Sequence, residues 1–153
     1  IIRDTLTLLD HQFRTAQIRV ETSLMPELPP ILGNPGKLQQ VFLNLFLNAK
    51  DAMTGVDEAR TLRVATEVNG HVSISIADSG SGIAPEHLRR IYDPFFTTKA
   101  SRRDGQPRGT GLGLAVTYGI IQEHSGKIHV ESQVGQGTTF YLEFPMLRKP
   151  AHV

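Results

Sequence analysis

Between Pro35 and Met53 the apolar residues Leu38, Val41, Phe42, Leu45, Phe46, Ala49, Ala52 and Met53 recur so that, at 100° per residue, they share one broad face. That pattern predicts an amphipathic helix with one buried side. Asn34-Pro35 marks its start: Asn34 can accept a backbone N–H as N-cap, contributing about 1 kcal/mol, and Pro35 at the first helical position gives up no needed donor. Gly55 marks its end. Upstream, Ile1, Ile2, Thr5, Leu6, Leu8, Leu9 and Phe13 fall near helical spacing and predict a helix over residues 1–15. Ile18, Val20, Thr22 and Leu24 alternate, as in a half-buried strand. Pro26, Pro29 and Pro30 then enforce an extended connector.

Further along, residues 61–68 and 72–77 read as strands joined at Asn69-Gly70, a hairpin signal. A short helix is expected over 85–91, with Pro85 at its first position, followed by a loop rich in Gly, Pro and charge over 93–108. Residues 112–124 are apolar at helical spacing, with Gly126 expected as the residue that closes the helix. Two more strands, 127–132 and 138–145, flank a turn at 134–137. The economical assembly is a two-layer α/β (α+β) sandwich in which a mixed, mainly antiparallel sheet carries helices on one face.

At 153 residues the chain is long enough for one well-buried domain. It has no cysteine, so it has neither a disulfide framework nor a thiolate metal site, in keeping with a reducing compartment. A formal net charge of +1 makes no electrostatic case for nucleic acid. No apolar run approaches a membrane span and no signal peptide is evident, so a cytoplasmic location is expected. Ile1 is not an initiator Met and the first segment already reads as helix, which suggests a domain excised from a longer protein.

The chemistry lies off the apolar faces. Lys37, Gln40, Asn44, Asn48 and Asp51 form a narrow stripe along the flank of the 35–53 helix. Two Asn residues one turn apart beside a core face are costly unless their amides have partners, which are either local backbone or a hard cation that accepts amide oxygen. Asp78 closes an alternating strand and is followed by Ser79-Gly80-Ser81-Gly82-Ile83. By itself this is an ordinary turn, but it equally suits a carboxylate presented at a strand end with room for a flat ligand against the backbone. Gly109-Thr110-Gly111-Leu112-Gly113-Leu114 opens a helix, where free N–H groups and the positive dipole end favour phosphate. It fits neither the dinucleotide pattern nor a P-loop.

Taken together, Asn44-Leu-Phe-Leu-Asn48-Ala49, Asp78-Ser-Gly80-Ser-Gly82, Asp93-Pro-Phe95-Phe96-Thr-Thr98-Lys99, Gly109 to Leu114 and Gly135-Gln-Gly137-Thr138-Thr139 resemble, in order and over nearly the whole chain, the nucleotide site of the histidine-kinase ATPase superfamily. The resemblance implies a Bergerat-type fold that binds ATP with Mg²⁺. It implies Asn48 as the metal ligand, Asn44 as support for the metal and phosphate shell, and Asp78 as acceptor for the adenine amino group, with Thr138 in the same network. It also implies a nucleotide site that includes Asp51, Gly80, Gly82, Ile83, Phe96, Thr98 and the box Gly109, Thr110, Gly111, Leu112, Gly113 and Leu114. Lys99 would reach the γ-phosphate from a lid over about 94–108, a stretch that is longer and more basic here than in close relatives, with Arg102, Arg103 and Arg108.

Two departures refine the expectation. Hydrolysing relatives, such as the gyrase, mismatch-repair and heat-shock chaperone ATPases, carry Glu four residues before the metal Asn. Here that position is Asn44, and an amide is no general base. None of His11, His71, His87, His124, His129 and His152 stands in a phosphoacceptor context, so the acceptor His is expected in an upstream helical dimerisation domain. The expected organisation is residues 1–15 as the end of an upstream helix or linker, 16–148 as the ATP-binding catalytic domain of a sensor histidine kinase, and 149–153 as a tail. The implied partners are that dimerisation domain and a response-regulator receiver domain, within a homodimer. The readings left beside it are a hydrolysing ATPase of the same fold, an anti-sigma type serine kinase and a silent nucleotide-sensing module.

Overall fold

The computed structural model describes residues 1–25, 31, 33–57, 59–88 and 113–146. Its elements in chain order are α1 (Ile2–Thr15), β1 (Ile18–Ser23), α2 (Pro35–Met53), β2 (Arg60–Val68), β3 (Val72–Asp78), a one-turn α3 (Pro85–Leu88), α4 (Gly113–Glu123), β4 (Lys127–Gln133) and β5 (Gly137–Phe144). The five strands form one sheet in the order β1-β2-β3-β5-β4. β1 runs parallel to β2, with α2 crossing between them, and every other pairing is antiparallel. α1, α2 and α4 cover one face, which gives the expected two-layer sandwich.

The alternation in the strands decides which side they bury. Val64, Ile76, Phe140 and Val130 form one transverse row on the inner face, and Thr66, Ile74, Leu142 and Ile128 the next. Against them α2 turns Val41, Phe42, Leu45, Phe46, Ala49 and Met53, all buried. α1 adds Leu9 and Phe13 to the same core. Thr66 is buried among these side chains, and its hydroxyl accepts from the Met25 N–H at 2.9 Å.

The ends of the elements follow local chemistry. Asn34 is extended, and its side chain accepts the Lys37 N–H, as expected of an N-cap before Pro35. The β2–β3 loop has three residues, not the two of a tight hairpin, because Val68 pairs with Val72 and only Gly70 takes a positive φ, of 75°. The expectation for Gly126 needs correcting. The left-handed residue that closes α4 is Ser125, with φ 57°, while the Gly126 N–H reaches back to the Ile121 carbonyl. Gly126 is instead held at that position by crowding, since a Cβ there would stand 2.8 Å from the Glu143 carbonyl oxygen. The expected connector prolines, the loop over 93–108, residues 89–91 of the short helix and the tail 149–153 lie outside the described residues.

Candidate nucleotide site

Apart from Thr66, the inner face of the sheet is apolar until its last row. There Leu62, Asp78, Thr138 and Ser132 lie side by side across β2, β3, β5 and β4. Asp78 ends β3, so its carboxyl group stands where the strand leaves the sheet and where α2 and the following loop converge. The carboxylate accepts the Gly80 N–H at 2.8 Å and a second N–H from Thr138. Burial nevertheless dominates and pushes its pKa up from 3.8 to about 6, against the downward pull of those two bonds.

Beyond Ser79, which bonds to Thr61 and Ala59, the loop after Asp78 is fastened at three further points. Ser81 N–H donates to the Ala52 carbonyl on the last turn of α2 at 3.1 Å, and Gly135 N–H donates to the Ser81 carbonyl at 2.8 Å. Ile83 N–H donates to the Ser132 hydroxyl at 2.7 Å. The two glycines make this docking possible. A Cβ on Gly80 would stand 2.6 Å from the Ala52 carbonyl oxygen, and one on Gly82, whose φ is 78°, would press into the Gln133–Val134 backbone. Their smallness therefore serves the close approach of one stretch of backbone to another.

Along α2 the polar stripe divides into two parts. Its first half joins α2 to α4: Lys37 pairs with Glu123 at 2.8 Å, and Gln40 donates to Asn44 Oδ1 at 3.0 Å. Asn44 Nδ2 donates to the Gly113 carbonyl at 3.3 Å and to Thr117 Oγ1 at 3.2 Å. A carbonyl can only accept, so Nδ2 must face Gly113 and Oδ1 must face Gln40. Asn44 thus spans α2 and the first turn of α4. Asn48 and Asp51 occupy the second half, on the turns that approach the Asp78 loop. Gly113 and Leu114 open α4, whereas Phe96, Thr98, Lys99, Gly109, Thr110, Gly111 and Leu112 lie outside the described residues.

Two contacts near the site escaped the sequence reading. His124 Nδ1 donates to the Ile120 carbonyl at 2.8 Å, which leaves Nε2 to accept the Asn34 N–H at 3.0 Å. The imidazole ties the start of α2 to the end of α4. Ser132 bonds to Ile83, Gly137 and Thr138. The available signal was its place in the alternation Ile128, Val130, Ser132, which points a hydroxyl inward beside Thr138.

The donor chemistry suits a hard cation only in part. Among the described residues no group of three or more His, Cys, Asp or Glu could cage a metal. A single amide oxygen on Asn48 fits a Mg²⁺ ion whose remaining ligands come from phosphate and water.

A half-buried carboxylate and a buried hydroxyl thus stand side by side at one end of the sheet of a two-layer sandwich, beside the helix that carries Asn44 and Asn48 and the start of α4. Residues 33–148 match the family described as histidine kinase-, DNA gyrase B-, and HSP90-like ATPase, and the chain belongs to that family. Within it, the similarity runs to histidine kinases. Sensor histidine kinase ZraS of Escherichia coli (strain K12) is 40% identical over 147 residues, covering 95% of this chain and 30% of that protein. The nucleotide-free catalytic domain of histidine kinase ThkA superposes with a TM-score of 0.76 at 28% identity, covering 95% of this chain and 89% of that one. Full-length ShkA in complex with AMPPNP gives a TM-score of 0.80 at 29% identity, covering 98% of this chain and 30% of that one. The chain spans 19% to 30% of the length of the curated relatives it matches.

Proposed function

We propose that this chain is the part of a sensor histidine kinase that binds Mg-ATP and presents its γ-phosphoryl group to a His in an upstream helical dimerisation domain. A nitrogen of the acceptor imidazole attacks phosphorus, ADP leaves, and the phosphoryl group later passes to an Asp of a response-regulator receiver domain. The whole protein acts in this reading as a homodimer, with this domain in the cytoplasm, where its ATP is found.

In this reading Asp78 accepts a hydrogen bond from the adenine amino group and Thr138 joins the same network, with Gly80, Gly82 and Ile83 forming the loop beside it. Asn48 and Asp51 face the phosphates, and Asn48 supplies the amide oxygen that would hold Mg²⁺. Lys99, with Phe96 and Thr98, and the run from Gly109 to Leu114 complete the phosphate side. When bound, Mg²⁺ neutralises charge on the phosphate oxygens. The protein contributes position and donors and supplies no nucleophile.

The observation that supports transfer over hydrolysis is Asn44. Its amide oxygen is taken by Gln40 and its nitrogen by α4, so the place of a water-activating base holds a helix-to-helix link. The test is calorimetric titration of the chain with ATP, ADP and GTP, with and without Mg²⁺, alongside Asp78→Asn and Asn48→Ala. Adenine-selective binding is expected. Asp78→Asn should weaken it at least about ten-fold, and Asn48→Ala should blunt its Mg²⁺ dependence. Steady phosphate release from the isolated chain would instead favour a hydrolase.

A further inference from the structure

We propose that Ser132 is a specificity-determining residue of this site. By fixing the hydroxyl proton of Thr138 it makes the Thr138 oxygen an acceptor beside Asp78, and so selects a 6-amino purine over a 6-oxo purine. The inference rests on the adenine-nucleotide reading above and assigns the base selection to a residue outside its motifs.

The argument is one of proton count. Ser132 Oγ lies 2.7 Å from the Ile83 N–H, 3.0 Å from the Gly137 carbonyl oxygen and 2.7 Å from Thr138 Oγ1. The amide can only donate and the carbonyl can only accept. A serine hydroxyl has one proton, so that proton goes to Gly137. The contact with Thr138 must then be made by the proton of Thr138. Thr138 is only 5% exposed, and with its proton held toward β4 its remaining valence on the Asp78 side is a lone pair.

Asp78 is the direct cross-strand neighbour of Thr138. Its carboxylate is already oriented by the Gly80 and Thr138 N–H groups and also presents lone pairs. Two acceptors side by side match an exocyclic amine, which has two N–H donors. A keto oxygen in that place sets lone pair against lone pair in a desolvated corner, where an unmatched polar atom costs most. If Ser132 is removed, Thr138 regains its rotor and can donate to the keto oxygen.

Ser132 also braces the loop at Ile83, and a purely structural role would weaken all purine nucleotides alike. The deciding readout is therefore the ratio of affinities for ATP and inosine triphosphate, whose base carries oxygen in place of the 6-amino group. It is measured by calorimetry on the wild-type chain, Ser132→Ala and Ser132→Thr, and Ser132→Cys makes the same comparison should the Ala variant unfold. Wild type is expected to favour ATP, Ser132→Ala to lose at least about ten-fold of that preference, and Ser132→Thr to retain it. If Ser132→Ala weakens both nucleotides equally or leaves the ratio unchanged, the proposal is overturned while the nucleotide site stands. If wild type binds neither, the underlying reading fails and the proposal falls with it.

Discussion

Asp78 holds a charge in a place that resists it. Between pH 3.8 and about 6 the folded chain binds more protons at this carboxyl than the unfolded chain does, because burial raises the folded value. The contribution of this group to stability is therefore largest below that window and is lost as pH rises through about 6. By neutral pH the ionised group costs the fold about 3 kcal/mol, before any compensation from a ligand. Ligand binding has the opposite sign. An acceptor for an amine must be ionised or turned with its lone pairs outward, so ATP affinity should fall as pH drops through about 6. Asp78→Asn removes the buried charge and should raise the urea midpoint while abolishing adenine selectivity. A lower midpoint would mean that the bonds from Gly80 and Thr138 outweigh the desolvation.

Among the elements, helix ends show how far sequence pattern reaches. The N-cap of α2 was legible because Asn34, Pro35 and the apolar face of the helix all point to one boundary. The end of α4 was legible only to within a residue. Gly126 suggested a left-handed cap, but the backbone places Ser125 there and needs Gly126 for its lack of a Cβ against β5, a crowding that exists only once the sheet is formed. Ser125→Gly should stabilise the chain by about 1 kcal/mol by relieving left-handed strain. Thermal melts would check this, and no gain would show that the Ser hydroxyl earns its place. The contacts of His124 and Ser132 escaped the sequence reading for a similar reason. Each residue is defined by a partner far along the chain, Asn34 for the one and Ile83 for the other. Motif order revealed the family, whereas strand order and the hydroxyl network depend on pairings that no local pattern encodes.

At the scale of the molecule, α1 shares the core with everything else. Phe13 is 2% exposed and Leu9 3%, both in the cluster that includes Phe46 and Leu62. Phe13→Ala should cost roughly 3–5 kcal/mol, as expected of a large residue deleted from one continuous core. Chemical denaturation would measure it, and a loss under about 1 kcal/mol would mark α1 as an appendage of the unit that begins at β1. The outer face of the sheet is polar by contrast, with His71 beside Glu143 at 3.3 Å and His129 stacked on Tyr141. Among the described residues the core therefore lies on one face of the sheet, between it and three helices.

The sheet order also imposes a schedule on synthesis. β5 follows every other described element in the chain yet lies between β3 and β4. Asp78 meets Thr138 only after about 60 further residues have been translated, some 3–12 s at roughly 5–20 residues per second. Through that interval Ile74 and Ile76 have no strand beside them on one edge, and the nascent chain carries a sticky, half-built sheet out of the ribosome. The corner where Asp78 meets Thr138 is thus among the last parts to assemble, and a chain that stalls before Phe144 is a candidate client for chaperones before its sheet is complete.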